Sequence, residues 1–158
     1  MVSMNLLINE PLWQSNSQEN AKYFFSIGDR GFNGQSSTSG ISKTGVMFFT
    51  QVHQNNIGCW NTARPYIRAN LKKLDQDNGL IQFPNDLKVD NEVNQNVWIM
   101  SNRLPVFLYS QLDFGEINFR ILKADINKII NNTVCDPMNT YNNGSKSAVV
   151  SIEEGQCY

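Results

Sequence analysis

The chain has 158 residues, with 13 basic and 14 acidic side chains and a formal net charge of -1. That length fits one domain, and the balance excludes the clustered basic footprint of a nucleic-acid binder, since Lys72-Lys73 is the longest basic cluster. Hydrophobic residues make up 41%, enough for a packed core, but charged residues only 17%, so the polar surface is built from Asn, Gln and Ser, residues that favour turns over helix interiors and point to a β-rich chain.

In chain order, the apolar start Leu6-Leu7-Ile8 gives way to a polar stretch ending near Asn20. Met1 to Trp13 has no basic start, sustained apolar run or small-residue cleavage site, so it does not read as a secretory signal. No segment is apolar for long enough to cross a bilayer as a helix. Tyr23 to Ile27 reads as a strand of aromatic and β-branched residues, and Gly28 to Gly40 as a loop dense in Gly, Ser, Asn and Thr. That loop lacks the spacing and the lysine of a phosphate-binding loop. Val46 to Val52 is a strong strand, apolar on both faces at Val46-Met47-Phe48-Phe49, followed by a turn at Asn55-Asn56 and a short strand from Ile57 to Trp60. Arg64 to Asp77 is polar, with a helical turn expected near Ile67 to Leu74. Leu80 to Phe83 resumes the extended pattern and stops at Pro84. Leu87 to Val89 and Val97 to Met100 read as strands, the second buried on both faces. Phe107 to Tyr109 and Asn118 to Leu122 continue the series, and Asp125 to Asn131 fits one helical turn. From Asp136 to Tyr158 the chain turns polar and reads as an irregular, disordered tail.

A short strand, a turn and a stronger strand occur at Gly40 to Thr50 and again at Leu87 to Ser101, with Val46 and Val97 in equivalent places 51 residues apart. A period of about 40–50 residues with several strands per unit is the signature of propeller blades. Each blade is a small sheet whose faces are covered by its neighbours, which is why its central strands are apolar on both sides. An ordinary β-sandwich with two buried strands fits the periodicity as well.

Single residues offer little assembled chemistry. Cys59, Cys135 and Cys157 have no metal-ligand spacing and no Cys-x-x-Cys, so neither a metal site nor a cofactor is expected. Sequons stand at Asn131 and Asn143. His53, the single histidine, is the natural general base, but its place just after a strong strand suits a sheet-end residue. Asp86 and Asp90, four apart in an extended segment, should share a face, where they either act as a pair or bond turn amides. Trp60 and Trp98 read as core aromatics.

Longer strings resolve the fold. Gly28-Asp29-Arg30-Gly31-Phe32-Asn33-Gly34-Gln35-Ser36-Ser37, Cys59-Trp60-Asn61 and Phe83-Pro84-Asn85-Asp86-Leu87-Lys88-Val89-Asp90 resemble segments of the yellow / major royal jelly protein family. So do Trp98-Ile99-Met100-Ser101-Asn102-Arg103-Leu104-Pro105, Asn118-Phe119-Arg120-Ile121 and Thr133-Val134-Cys135, all in the family's order. The resemblance covers roughly Leu6 to Cys135. It implies an all-β chain of about two consecutive four-stranded antiparallel blades, from the C-terminal part of a secreted six-bladed propeller. Residues 1–135 hold the blades and residues 136–158 form the tail, with further blades expected upstream of Met1. It implies a disulfide between Cys59 and Cys135, worth about 4 kcal/mol in the loop-entropy view, with Cys157 outside the pattern.

The resemblance also implies a ligand site at one end of the propeller channel. Some salivary members bind biogenic amines there, and by position Lys88, Asn102 and Leu104 match channel-lining residues. Lys88 is a poor contact for a cation, and Arg103 is expected to pin backbone carbonyls. The implied function is an extracellular, pigmentation-related or ligand-binding propeller without catalysis, its partner a small aromatic or biogenic amine rather than a nucleic acid or a membrane. Two other readings stand beside it. One is a dopachrome-converting tautomerase drawing on His53, Asp86 and Lys88. The other is a fragment with no independent function, whose uncovered sheet invites association.

Overall fold

A computed structural model describes residues 2–4, 24–76, 79–139 and 153–155. The strands, in order, are β1 (Val2–Met4), β2 (Phe24–Ser26), β3 (Ser39–Ile41), β4 (Val46–Gln51), β5 (Asn56–Asn61), β6 (Leu71–Gln76), β7 (Pro84–Val89), β8 (Asn96–Asn102), β9 (Phe119–Asp125) and β10 (Glu153–Gly155). Helix α1 (Leu104–Tyr109) joins β8 to β9, and α2 (Ile126–Ile130) follows β9. β3-β4-β5-β6 form one four-stranded sheet and β7-β8-β9-β10 another, both antiparallel meanders, while β1 pairs with β2. The chain is thus all-β, two consecutive blades in which every strand pairs with its sequence neighbour.

The repeat seen in the sequence marks the heart of each blade. Val46, Phe48, Val97 and Ile99 point into one shared core between the sheets, joined there by Ile57, Leu87 and Leu122. Each such side chain contributes about 1.5–3 kcal/mol by leaving water. Gly40 in β3 lets the sheets close: a Cβ there would sit 3.2 Å from Leu87 Cδ2 and 3.2 Å from Val89 Cγ2. Polar ties add to the contact. The Lys43 amide donates to Gln95 Oε1 at 2.7 Å, and Lys43 Nζ donates to the carbonyls of Asn91 (2.7 Å) and Glu92 (2.9 Å). A disulfide joins Cys59 in β5 to Cys135 beyond α2, so the first blade is clamped to the segment that leaves the second. Both cysteines are fully buried.

Several local expectations change. Of the two strands expected to be buried on both faces, β4 is and β8 is not. Phe48 enters the core, and Phe49 lies under the Gly28–Gly40 loop with the Arg30 guanidinium 4.8 Å from its ring centroid. In β8 the alternate face is open: Trp98 is 37% exposed, its indole N–H bonded to Asp90 Oδ2 at 3.0 Å and its ring under Lys123 Nζ at 5.2 Å. It is therefore an amphipathic surface aromatic and not a core one. The helical turn expected over Ile67 to Leu74 is confined to a 3-10 turn, Arg68–Asn70, after which the chain extends as β6. Leu80 to Phe83 is irregular, and Pro84 opens β7 instead of ending a strand. A proline suits that first position, where no ladder donor is lost.

Phe107 to Tyr109 belong to a helix: Pro105 sits in its first turn and the Leu104 amide is capped by Asn102 Oδ1 at 2.9 Å. α2 forms where one helical turn was expected, with Asp125 as its N-cap accepting from the Lys128 amide at 3.1 Å. Within the expected tail, Glu153–Gly155 pairs with β9 as an edge strand; residues 140–152 and 156–158 lie outside the described residues.

Candidate functional site

The strand ends at one edge of the two blades build an open cleft of about 670 Å³. Its walls come from three places: the turn after β4, the run into β7, and the start of α1. The first of these, Val52–Gln54, is a 3-10 turn closed by Asn55 in the left-handed region (φ 47°). It brings His53 to the cleft, exposed to solvent. Its neighbours fix it. Gln54 Nε2 donates to the Asn33 carbonyl at 2.9 Å, and the Val52 amide donates to the Gln35 carbonyl at 3.2 Å. Thr50, fully buried at the end of β4, accepts from the Ser37 amide at 3.1 Å and shares a 2.9 Å bond with its hydroxyl. The loop that marks the family resemblance therefore serves as a brace for the histidine turn.

The opposite wall begins at Asn102, buried at the end of β8, and continues through Leu104 to Tyr109 in α1. Arg103 Nη1 pairs with Glu116 Oε2 at 3.2 Å. The expectation that it pins backbone carbonyls is thus corrected to an ion pair within the β8–β9 connection. The cleft lining is mostly apolar, the character of a site for a small organic ligand with a few orienting polar groups.

Of the three residues expected to contact ligand, Asn102 and Leu104 line this cleft. Lys88 does not: it projects from β7 into solvent, 3.8 Å from Asp86 Oδ1. A one-residue irregularity in the β7–β8 pairing between Pro84 and Asp86 shifts the strand there. Asp86 bonds the adjacent Leu87 amide at 2.8 Å, and Asp90 lies beyond the end of β7, so the two carboxylates form no pair. Asp90 instead organises the β7–β8 turn. It accepts from the Asn96 amide at 2.9 Å, from Asn96 Nδ2 at 3.0 Å and from Trp98 Nε1 at 3.0 Å. The Asn96 backbone and side-chain N–H groups, with Trp98 and the Glu92 amide behind them, hold its carboxyl down at about 2.

Trp60 meets Tyr66 edge-on at 4.8 Å and donates to the Arg64 carbonyl at 3.0 Å, away from the cleft lining. Asn131 is exposed at the end of α2, and Asn143 lies outside the described residues. Among the described residues no group of His, Cys, Asp and Glu is placed to hold a metal ion, and no helix is long and apolar enough to cross a membrane. Phe83, Asn55 and Tyr109 escaped the sequence reading of the cleft. The one available signal was Asn102 followed by Pro105, the mark of a helix start.

The sequence profile of the major royal jelly protein family matches residues 1–135. The chain is 66% identical to a dopaminechrome tautomerase of Drosophila melanogaster over 160 aligned positions, covering 100% of this chain and 35% of that protein. It is 41% identical over 116 residues to protein yellow of Drosophila pseudoobscura pseudoobscura, covering 73% of this chain and 20% of the relative. It is 36% identical over 126 residues to protein yellow of Drosophila melanogaster, covering 80% and 23%. The chain therefore spans about a third or less of the length of these curated relatives.

Proposed function

The chain belongs to the major royal jelly protein family, and from that premise we propose that it is part of an extracellular tautomerase acting on aminochromes such as dopaminechrome. The observation that carries this reading is the identity to the fly dopaminechrome tautomerase, which runs the whole length of the chain and so includes every wall of the cleft. Ligand binding without turnover was the first expectation from sequence; the tautomerase reading now ranks above it. Isomerisation of an aminochrome moves two protons in turn from carbons of the five-membered ring to the two quinone oxygens, with no atom gained and no oxidant consumed. Such a step asks for a base at the carbon, a donor at the oxygen and a wall that holds the ring. His53 is the proposed base. Asn102, the apolar side of α1 and the Arg103–Glu116 pair behind it shape the opposite side. The disulfide and the exposed sequon at Asn131 fit a secretory route.

The test is the decay of freshly made dopaminechrome followed by its visible absorbance. Purified protein should accelerate the decay without oxygen uptake. His53→Gln should lower the rate about 100-fold or more with an unchanged melting temperature. Decay no faster than the buffer blank would overturn the reading.

A further inference from the structure

Phe83 is a bulky aromatic held in the left-handed region, at φ 42°. A side chain with a Cβ is disfavoured there, and glycine would sit without strain. The next residue is Pro84, which restricts the preceding backbone further. Such a conformation persists only where neighbours over-determine it, and it concentrates at ligand-holding sites. Here the neighbours are explicit. The Phe83 amide donates to Asn55 Oδ1 at 3.0 Å. One residue earlier, Gln82 is clasped by β8: its amide donates to Ser101 Oγ at 2.7 Å, and its carbonyl accepts from Ser101 Oγ at 2.6 Å and from the Asn102 amide at 3.0 Å. Asn55 is itself left-handed (φ 47°). Two uncommon backbone conformations, linked by one hydrogen bond, thus converge on the cleft that His53 and Asn102 also line. The bonds that hold this turn are made by the backbone of Gln82 and Phe83, and the half-buried Phe83 lines the cleft.

We infer that Phe83 is the aromatic wall against which a planar substrate ring stacks, and that Asn55 is the positioning residue that holds it there. This rests on the reading of the cleft as an aromatic-ligand site and adds what selects the ring. Stacking favours a flat, conjugated ring over a saturated ring of the same size and charge.

The test measures that preference without depending on turnover. Dissociation constants are taken for 2-phenylethylamine and for 2-cyclohexylethylamine, which differ only in whether the ring is aromatic or saturated, by calorimetric titration. The wild-type protein should prefer 2-phenylethylamine. Phe83→Leu should cut the preference about 3- to 10-fold, Phe83→Trp should keep it, and Asn55→Ala should lower it in the same direction. Phe83→Gly controls for folding: it should lose the preference without melting below Phe83→Leu, because glycine accepts the backbone conformation. A preference unchanged in Phe83→Leu, or absent in the wild-type protein, would overturn the inference. If dopaminechrome is not turned over while the preference depends on Phe83, the catalytic reading fails and this one stands; turnover with a preference indifferent to Phe83 gives the reverse.

Discussion

Replacing both members of the Cys59–Cys135 disulfide with alanine should lower the stability of the fold by about 3–5 kcal/mol. The two cysteines are 76 residues apart, and closing a loop of that length removes about 4.5 kcal/mol of freedom from the unfolded chain at 25 °C. The bond joins parts far apart in the chain: Cys59 sits in the third strand of the first blade, and Cys135 beyond the helix that follows β9. In a chain of this size each kcal/mol moves the melting temperature by about 2–4 °C, so the double variant should melt about 6–20 °C lower. Urea unfolding followed by tryptophan fluorescence is a suitable assay, because Trp60 and Trp98 report on different blades. If the effect lies in the unfolded state, the alanine variant and the reduced wild-type protein should also unfold with a steeper denaturant slope, since an uncrosslinked chain exposes more surface. A loss below about 1 kcal/mol, or an unchanged slope with a large loss, would refute the unfolded-chain account.

Two further outcomes follow from local geometry. The Asp90 carboxyl is depressed from its ordinary 3.8 to about 2, so its charged form favours the folded state above pH 4. That contribution should fade as pH falls from about 4 through about 2; the melting-temperature gap between wild type and Asp90→Asn, scanned over that range, should shrink, and a gap independent of pH would contradict it. Gly40→Val should destabilise the packing of β3 on β7 by about 1–3 kcal/mol, because even a Cβ there meets Leu87 and Val89 at 3.2 Å. Gly40→Ala should cost less, and equal urea midpoints for all three proteins would show that the blades do not touch as described.

The parts of the fold legible in the sequence are those whose cause is local. Val46, Phe48, Val97 and Ile99 alternate along their own strands, and the alternation alone marks the face turned to the core. The pattern misled where side-chain type does not settle the environment. Trp98 and Met100 look as buried as their neighbours, but an indole with a carboxylate for its N–H and a lysine over its ring is at ease beside water. Phe107 to Tyr109 is equally apolar as a strand or as a helix. The cap supplied by Asn102 and the proline at Pro105 decide for the helix, and those signals lie outside the run itself.

The cleft was harder to read for a different reason. His53, Phe83 and Asn102 are each unremarkable in their own segment, and they meet only because β4 and β8 end, and β7 begins, at the same edge. What gives Phe83 its meaning is a backbone angle imposed by Asn55 from 28 residues away and by the Ser101 clasp on Gln82 from 19 residues away. Composition and periodicity carry no trace of either bond. The resemblance named Lys88, Asn102 and Leu104 together, and the structure brings Asn102 and Leu104 to this cleft while Lys88 projects into solvent from β7, past the irregularity at Pro84–Asp86. The cleft is therefore a product of strand register and turn conformation, so the aromatic preference tests the role proposed for Phe83 separately from turnover.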